Sequence, residues 1–222
     1  KNCRVEFMKR SEDPFKKVAE QIKSLRLKSI GFDVLDASSY LTMGKELKAT
    51  LLKPLSKLIQ ELRIVKDPAE MVSIRKAAEL TDAGSKAALN AIKLGVREYE
   101  AAAEIEYAMR KLGSEGVAFD TIVASGLHSA FPHGGCTPKR IKKGELIQFD
   151  IGARYQNYRA DLTRTFLVGK PTPKQKKIYR VVREAQEKAF QKIRDSVRAR
   201  QVDAVAREVT KKHGFDQYFV HG

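Results

Sequence analysis

The stretch Glu145–Val168 reads ELIQFDIGARYQNYRADLTRTFLV and contains two strand-like runs on either side of a polar turn. Each run carries one aspartate among apolar residues, Asp150 in the first and Asp161 in the second. Residues that face each other in a hairpin share a constant index sum, because the two strands run in opposite directions. A two-residue turn at Tyr155 and Gln156 therefore places the two aspartates directly opposite each other. This pattern predicts a hairpin in which two carboxylates meet.

Opposed carboxylates repel each other, and a buried charge must be paired or must coordinate metal. One or two divalent cations shared between Asp150 and Asp161 would satisfy both side chains. The alternative is that arginines neutralise the aspartates, since Arg154, Arg159 and Arg164 lie close by in sequence. Hairpin loops of other lengths are also common, so the register itself is an assumption. The residues alone leave the metal site and the ion pairs as alternatives.

The chain has a formal net charge of +16. Excess lysine and arginine create a field that attracts phosphates. The basic residues are nevertheless spread along amphipathic segments such as Lys174 to Arg200, and no nucleic-acid-binding module is recognisable. We interpret them as solvated helix faces and expect no nucleic-acid partner. No run approaches the roughly 18 apolar residues of a membrane-spanning helix, so we expect no membrane partner either.

The sequence of 222 residues is long enough for one large domain, or for one domain and part of another. Its two cysteines, Cys3 and Cys136, do not make a disulfide framework. No signal peptide is visible. A reduced, cytoplasmic setting is therefore the default expectation.

Residues 1–63 show an α/β alternation. The apolar spacing predicts a helix over Pro14 to Leu27, followed by a short strand over Lys28 to Asp33. Ser38 to Glu61 is predicted to be helical, with an interruption at a proline. We place the boundary of the next domain near residue 64.

Residues 64–222 show a different order, in which helices are followed by strands, then by helices and a last strand. Asp67, Pro68 and Glu70 together form a strong helix start. The predicted elements are helices from Pro68 to Leu94 and from Tyr99 to Leu112, a strand at Thr121 to Ala124, the hairpin, a helix opened by Pro173, a helix at Val202 to His213 and a strand at Phe215 to Val220. This order is typical of an α+β domain and not of a parallel α/β repeat.

The four histidines lie in different settings. His213 precedes a glycine at a predicted helix end, where a cation suits the helix dipole, and we assign it a structural role. His128 lies in a polar loop and is interpreted as a surface residue. His133 is part of a Phe-Pro-His-Gly run, and His221 is the residue before the last. The sequence alone does not decide between structural and functional roles for these last two.

Four blocks of the sequence resemble the creatinase/aminopeptidase P/methionine aminopeptidase family of "pita-bread" metallohydrolases, over about residues 64 to 222. Their order and spacing agree with the family, and the combination is far more specific than any single block. The Pro-His-Gly and Thr-Arg-Thr-Phe runs are similar to the branch that acts on Xaa-Pro peptides. The blocks are residues 121–126 (TIVASG) running on to 131–134 (FPHG), 149–152 (FDIG), 160–166 (ADLTRTF) and 219–222 (FVHG).

The resemblance implies roles for individual residues. Asp150 and Asp161 match two metal-binding carboxylates of a site for two divalent cations, with Mn²⁺ expected first and Co²⁺ or Zn²⁺ tolerated. His133 and His221 match residues that contact substrate, and His221 is also expected to act in catalysis. The remaining ligands, one histidine and two glutamates, would follow Gly222. We therefore expect the chain to be truncated at both ends and to be inactive as it stands.

The resemblance also implies a fold and an activity. Residues 1–63 would be the remnant of a creatinase-type α/β N-terminal domain, and residues 64–222 a pita-bread domain that lacks its C-terminal strands. The intact protein would be a metallo-exopeptidase, an Xaa-Pro dipeptidase or aminopeptidase, that cleaves the bond before proline in short peptides. The family commonly dimerises, so a homodimer is expected.

Two other functions remain as alternatives. One is a non-catalytic pita-bread module that binds proteins, and loss of metal ligands would be its sign. The other is a metal-free, creatinase-like hydrolase on the same scaffold. Both aspartates that can be checked, Asp150 and Asp161, are intact, which argues against each alternative.

Overall fold

A computed structural model describes Val5 and residues 7–220 of the chain. These residues belong to two units, Lys1–Pro68 and Ala69–Gly222. Cys3 and His221 lie outside the described residues. None of the helices in the described part is both long and apolar enough to cross a membrane.

The first unit packs helices beside a two-stranded parallel sheet. Asp13 begins the first helix, because its carboxylate accepts hydrogen bonds from the main-chain N–H groups of Phe15 and Lys16. Ala19, Met43 and Leu47 form the buried core. The elements are α1 (Pro14–Ser24), β1 (Ser29–Phe32), α2 (Ala37–Glu46), β2 (Leu51–Pro54) and α3 (Ser56–Ile64).

Strand β2 corrects the prediction of a single interrupted helix over Ser38 to Glu61. Residues Leu51–Pro54 pair in parallel with β1, and Ser29 faces Leu51. A short apolar run cannot be identified as helix or strand from its periodicity alone. The pairing with β1, which is distant in sequence, decides the conformation of this segment.

Among the described residues, the second unit contains four α-helices, two short 3₁₀ helices and six short strands. Helix α4 begins at Pro68 as predicted and ends three residues before the expected Leu94. Helix α5 lies within one residue of its predicted bounds. The elements are α4 (Pro68–Ala91), α5 (Glu98–Lys111), β3 (Gly116–Val117), β4 (Ile122–Ser125), β5 (Leu146–Ile151), β6 (Ala153–Tyr155), β7 (Tyr158–Arg159), β8 (Leu162–Leu167), α6 (Pro173–Lys192) and α7 (Ala199–Lys212).

The sheet at the centre of this unit has the order β4–β5–β8, and both pairings are antiparallel. Along β5, Ile147, Phe149 and Ile151 have no exposed surface. They share a core with Ile105 and Met109 of α5. Since side chains alternate across a strand, the residues between them, including Asp150, project from the opposite face of the sheet.

The stretch Glu145–Val168 forms a continuous antiparallel ribbon, but in a register that differs from the predicted one. Tyr155 faces Tyr158, and Asp150 faces Thr163, so the index sum is 313 throughout. The turn residues are Gln156 and Asn157, with φ angles of +48° and +65°. Two consecutive positive φ angles are typical of a type I′ turn, whose twist matches that of the flanking strands.

The prediction that Asp150 and Asp161 are directly opposed is therefore wrong by two residues. Asp161 lies two positions before the partner of Asp150 and is its diagonal neighbour. The predicted turn required a positive φ angle at Tyr155, whereas Asn157 tolerates that conformation better. Because side chains alternate with a period of two, a two-residue shift keeps both aspartates on one face.

The ribbon bends at Gly152, so that its two halves join different sheets. Strands β5 and β8 pair with β4, whereas β6 and β7 extend a second sheet that begins with β3. A Cβ atom at Gly152 would lie 2.1 Å from the main-chain oxygen of Ala160. Only glycine permits this close approach of the two strands, which occurs between Asp150 and Asp161.

Helices α6 and α7 pack against each other through Val181, Ala185 and Val209. His213 caps the C-terminal end of α7, as expected for a structural residue. The predicted strand Phe215 to Val220 is wrong, because Asp216–Tyr218 forms a short 3₁₀ helix. Its N–H groups bond locally, for example from Tyr218 to the Phe215 oxygen, and no strand of the described residues pairs with it.

Candidate metal centre and substrate loop

Asp150 has an unsatisfied oxygen inside the protein. Its Oδ1 is buried and has no hydrogen-bond partner among the described residues. A buried polar atom without a partner costs about 1–3 kcal/mol, and more when it carries charge. The residue lies near the end of β5, with its neighbours Phe149 and Ile151 fixed in the core. This oxygen is therefore held rigidly and is suited to bind a cation.

Asp161 lies just before β8 and is close to Asp150. Partial desolvation, together with the negative charge of Asp150 and a hydrogen bond to it, raises the pKa of the Asp161 carboxyl above its ordinary value. Two neighbouring carboxylates without a cation between them are expected to behave in this way. The structure thus brings together the two residues that were predicted to bind metal.

The arginines near these aspartates do not neutralise them. Arg154 Nε lies 3.9 Å from Oε2 of Glu115, and Arg164 Nη1 donates to the main-chain oxygen of Thr163 at 2.9 Å. Within the described residues, no ion pair involves Asp150 or Asp161. The ion-pair alternative is not found, and the negative charge of the pair is available to a bound cation.

The donors suit a hard divalent cation, because carboxylate oxygens are the ligands that Mg²⁺ and Mn²⁺ prefer. The described part of the chain contains no group of three or more His, Cys, Asp or Glu residues arranged to bind a metal ion. Asp150 and Asp161 would therefore supply two ligands and not a full coordination sphere. His221, which was predicted to contact substrate and to act in catalysis, lies outside the described residues.

His133 lies in an exposed loop that connects β4 to β5. The loop leaves β4 after Ser125, which pairs with Ile147 at the end of β5 remote from Asp150. It returns through Cys136, whose Sγ donates to the Thr121 oxygen at 3.1 Å and accepts from the Val123 N–H at 3.2 Å.

These two bonds attach the returning loop to the edge of β4 on either side of Ile122. Ile122 is the residue that faces Asp150. His133 is three residues from Cys136, a span of at most about 10 Å. The loop therefore returns along the part of β4 that faces Asp150, and His133 lies within about 10 Å of this return point. Burial raises the pKa of the Cys136 thiol, so the side chain serves as a neutral hydrogen-bonding group.

Glu98 was not identified from the sequence, yet its carboxylate is fully buried. It accepts hydrogen bonds from Ser125, His128 and Thr137. Burial alone would raise the pKa of Glu98, but the bonds from Thr137 and Ser125 outweigh it and leave the pKa below its ordinary value. The carboxylate is thus ionised and forms a polar centre beneath the loop.

His128 was interpreted as a surface residue, and that interpretation is wrong. Its side chain is only 18% exposed, and Nδ1 lies 2.9 Å from Oε2 of Glu98. The residue is part of a short 3₁₀ helix, Gly126–Ala130, at the start of the loop. The sequence did not reveal its partner, because Glu98 is 30 positions away at the beginning of α5.

The ligand count predicts that residues 1–222 alone bind Mn²⁺ weakly. Two carboxylates without further ligands should give a dissociation constant on the order of millimolar, comparable with the weakest protein sites for hard cations. Titration calorimetry with MnCl₂ measures this value, and the Asp150→Asn variant provides the matched control. Micromolar or tighter binding by the unmodified chain would show that other residues complete the site.

The chain is similar to known proteins over most of its length. Metallopeptidase family M24 matches residues 72–222. A Xaa-Pro dipeptidase from Pyrococcus horikoshii is 40% identical over 211 residues, which cover 94% of this chain and 60% of the relative. Among solved structures, a prolidase from Pyrococcus furiosus has a TM-score of 0.88 at 37% identity, covering 98% of this chain and 63% of that one.

An X-Pro aminopeptidase from Thermotoga maritima has a TM-score of 0.85 at 34% identity, and the match covers 94% of this chain and 60% of that one. The chain thus spans about three fifths of the length of these relatives. The mixed helix-and-sheet fold and the resemblance inferred from the four sequence blocks are both confirmed. Members of this family are metal-dependent peptidases. The chain belongs to metallopeptidase family M24.

Proposed function

We propose that a protein containing this chain is an Xaa-Pro peptidase, which hydrolyses the bond between the first residue of a short peptide and a following proline. The observation that carries the proposal is the neighbouring pair Asp150 and Asp161, with a buried, unpartnered oxygen on the first. The similarity to Xaa-Pro dipeptidases and to an X-Pro aminopeptidase supports the choice of substrate. Both dipeptides and longer peptides fit this class.

Asp150 and Asp161 would hold two divalent cations, for which Mn²⁺ is the first candidate and Co²⁺ or Zn²⁺ are acceptable. When bound, such cations polarise a scissile carbonyl and make a nucleophile available at neutral pH. The aspartates contribute the negative charge that retains them. The rigid setting of Asp150 in β5 fixes one ligand, and the bend at Gly152 holds Asp161 beside it.

The histidines would act on the peptide and not on the metal. His133, on its exposed loop, can donate a hydrogen bond to a peptide group of the substrate. His221 would stabilise the charge that develops on the carbonyl oxygen, since a donor placed there is worth more in the transition state than in the ground state. Proline lacks an amide N–H and has a fixed φ angle, so a peptidase that accepts it needs a dedicated site.

Further features of the whole protein are part of the same proposal. Residues 1–63 would belong to a creatinase-type N-terminal domain and residues 64–222 to the catalytic domain. A cytoplasmic setting and a homodimer are expected. The basic surface is interpreted as solvated helix faces, without a nucleic-acid partner.

Substrate specificity tests the proposal. The full-length protein should cleave Leu-Pro with a kcat/KM about 10²-fold above that for Leu-Ala, because a site built for the proline ring discriminates by shape and by the missing N–H. Release of free leucine, measured by chromatography, gives both rates. Treatment with EDTA should abolish the activity and added Mn²⁺ should restore it.

Equal cleavage of the two dipeptides would contradict the specificity. Activity that survives complete removal of metal would instead support the creatinase-like alternative. Binding of Leu-Pro without hydrolysis, in the presence of Mn²⁺, would support a non-catalytic module.

A further inference from the structure

Five hydrogen bonds converge on the carboxylate of Glu98, the first residue of α5. Oε1 accepts from the N–H and the hydroxyl of Ser125, at 2.7 and 2.8 Å. Oε2 accepts from the N–H and the hydroxyl of Thr137, at 3.1 and 2.6 Å, and lies 2.9 Å from Nδ1 of His128. All three partners belong to one segment. Ser125 is the last residue of β4, and His128 and Thr137 lie on either side of His133 in the loop that follows. One buried side chain therefore joins the two ends of the loop that carries His133.

A second layer of contacts surrounds the partners of Glu98. Lys139 Nζ donates to the Ser125 hydroxyl at 2.7 Å and to Oε2 of Glu145 at 2.6 Å. Glu145 also accepts from the main-chain N–H of Lys142. The network thus extends from α5 to the start of β5, and it fixes both the exit and the return of the loop to the same sheet.

His128 extends this network to the residue after His133. Its Nε2 lies 3.2 Å from the main-chain oxygen of Gly134. A Cβ atom at Gly134 would lie 2.6 Å from the same nitrogen, so the loop backbone passes close against the ring. Each ring nitrogen faces an oxygen acceptor. Either neutral tautomer donates one of the two bonds, and the doubly protonated ring donates both.

Apolar burial does not hold this part of the loop. The side chains of Leu127 and Phe131 are 91% and 63% exposed. The contacts that fix the loop are the polar ones, through His128 at its first turn and through Cys136 at its return. Loss of the His128 contacts would therefore remove one polar attachment of residues 129–135.

We propose that Glu98 and His128 are positioning residues of the substrate site. They hold the loop so that His133 is presented to the peptide. Glu98 anchors the imidazole of His128, and the imidazole contacts the main-chain oxygen of Gly134, the residue after His133. The inference rests on the proposed function, in which His133 contacts the substrate.

The kinetic test uses His128→Ala, His133→Ala and the double variant in the full-length protein with Leu-Pro and Mn²⁺. His128→Ala should raise KM about tenfold, with kcat within about threefold of wild type, as expected for lost ground-state binding. If His128 acts through His133, the double variant should have the KM of His133→Ala alone and not the product of the two effects. Metal content should be unchanged in all three.

Two further variants sharpen the test. His128→Gln keeps a donor that can reach one of the two acceptors and should recover part of the KM. His213→Ala is the matched control, because His213 Nε2 also lies near a glutamate, at 3.3 Å from Oε2 of Glu184, but at the end of α7. It should leave KM and kcat unchanged.

Hydrogen exchange measures loop order independently of activity. The hydrogen-bonded amides of Phe131 and Gly134 should exchange at least about tenfold faster in His128→Ala than in wild type, because the loop then opens locally. Unchanged exchange, unchanged KM in an active enzyme, or multiplicative effects in the double variant would each overturn the proposal. Failure of the wild-type protein to cleave Leu-Pro would overturn the proposed function instead, and exchange would still decide whether His128 orders the loop.

Discussion

Replacement of Asp161 by asparagine should lower the rate of Leu-Pro hydrolysis by at least about 10³-fold, well beyond the 10–100-fold that loss of a group supporting a metal ligand costs. Asparagine keeps the size of the side chain but removes the charge that, in the proposed site, would retain the cations. Bound metal, measured by elemental analysis after dialysis, should fall together with the activity. The circular dichroism spectrum should not change, because Asp161 is exposed and lies outside the core.

The same variant has a predictable effect on stability once metal is removed with EDTA. The pKa of Asp161 is raised by partial desolvation of its carboxyl, although the residue lies at the surface, and by the negative charge of Asp150. A raised pKa means that the folded state favours the protonated carboxyl. That stabilisation is complete below the ordinary aspartate pKa of about 3.9 and is lost as the pH rises through the raised value.

Asp161→Asn cannot ionise and should escape this loss. At pH 7 the metal-free variant should be at least as stable as wild type, with a gain of up to about 1 kcal/mol, because exposure screens the repulsion. This difference in stability between the variant and wild type should vanish below about pH 4. Asp203→Asn is the matched control on α7, where Asp203 pairs with Arg207 at 2.7 Å.

Wild-type metal content and turnover in Asp161→Asn would show that this carboxylate is not a ligand.

Replacement of His221 by alanine should lower kcat on Leu-Pro by about 10²–10³-fold, the usual effect of removing one donor to a developing oxyanion. The expectation follows from the Phe-Val-His-Gly block at residues 219–222 and from the proposed function. Metal content should stay at the wild-type level, since His221 matches a substrate residue and not a ligand.

His133→Ala provides the comparison for His221→Ala. Its effect should be milder and should fall partly on KM, because the group also binds the ground state. Steady-state kinetics with Leu-Pro over a range of concentrations separates the two parameters. Loss of metal in either histidine variant would mean that the histidine is a ligand and that the division of roles is incorrect.

The sequence predicted the parts of the candidate site that depend on local alternation. The alternation of apolar and polar residues, with a period of two, predicted the two strands of the ribbon, a turn between them and one aspartate on each strand. The register was not visible, because it depends on which two residues adopt positive φ angles. Because the predicted register was wrong by two residues, it still placed Asp150 and Asp161 on one face of the sheet. A register wrong by one residue would have placed them on opposite faces.

Features that depend on distant partners were missed. Leu51–Pro54 is a strand because β1 lies beside it, and Glu98 is buried because Ser125, His128 and Thr137 close over its carboxylate. A glutamate at the start of a helix is ordinarily a solvated residue that favours the helix dipole. The residues next to Glu98 in the sequence do not distinguish such a solvated glutamate from one that anchors a loop 30 positions later.

The bend at Gly152 has a consequence for the kind of ion that the site can accept. A main-chain contact without any side chain sets how closely the two strands approach between the aspartates. In the proposed metal site, the preference among cations of different radius would thus be governed partly by Gly152, a residue that contributes no ligand. Replacing Gly152 by alanine would push the two strands apart and widen the gap between the two carboxylates, although both carboxylates would still be present.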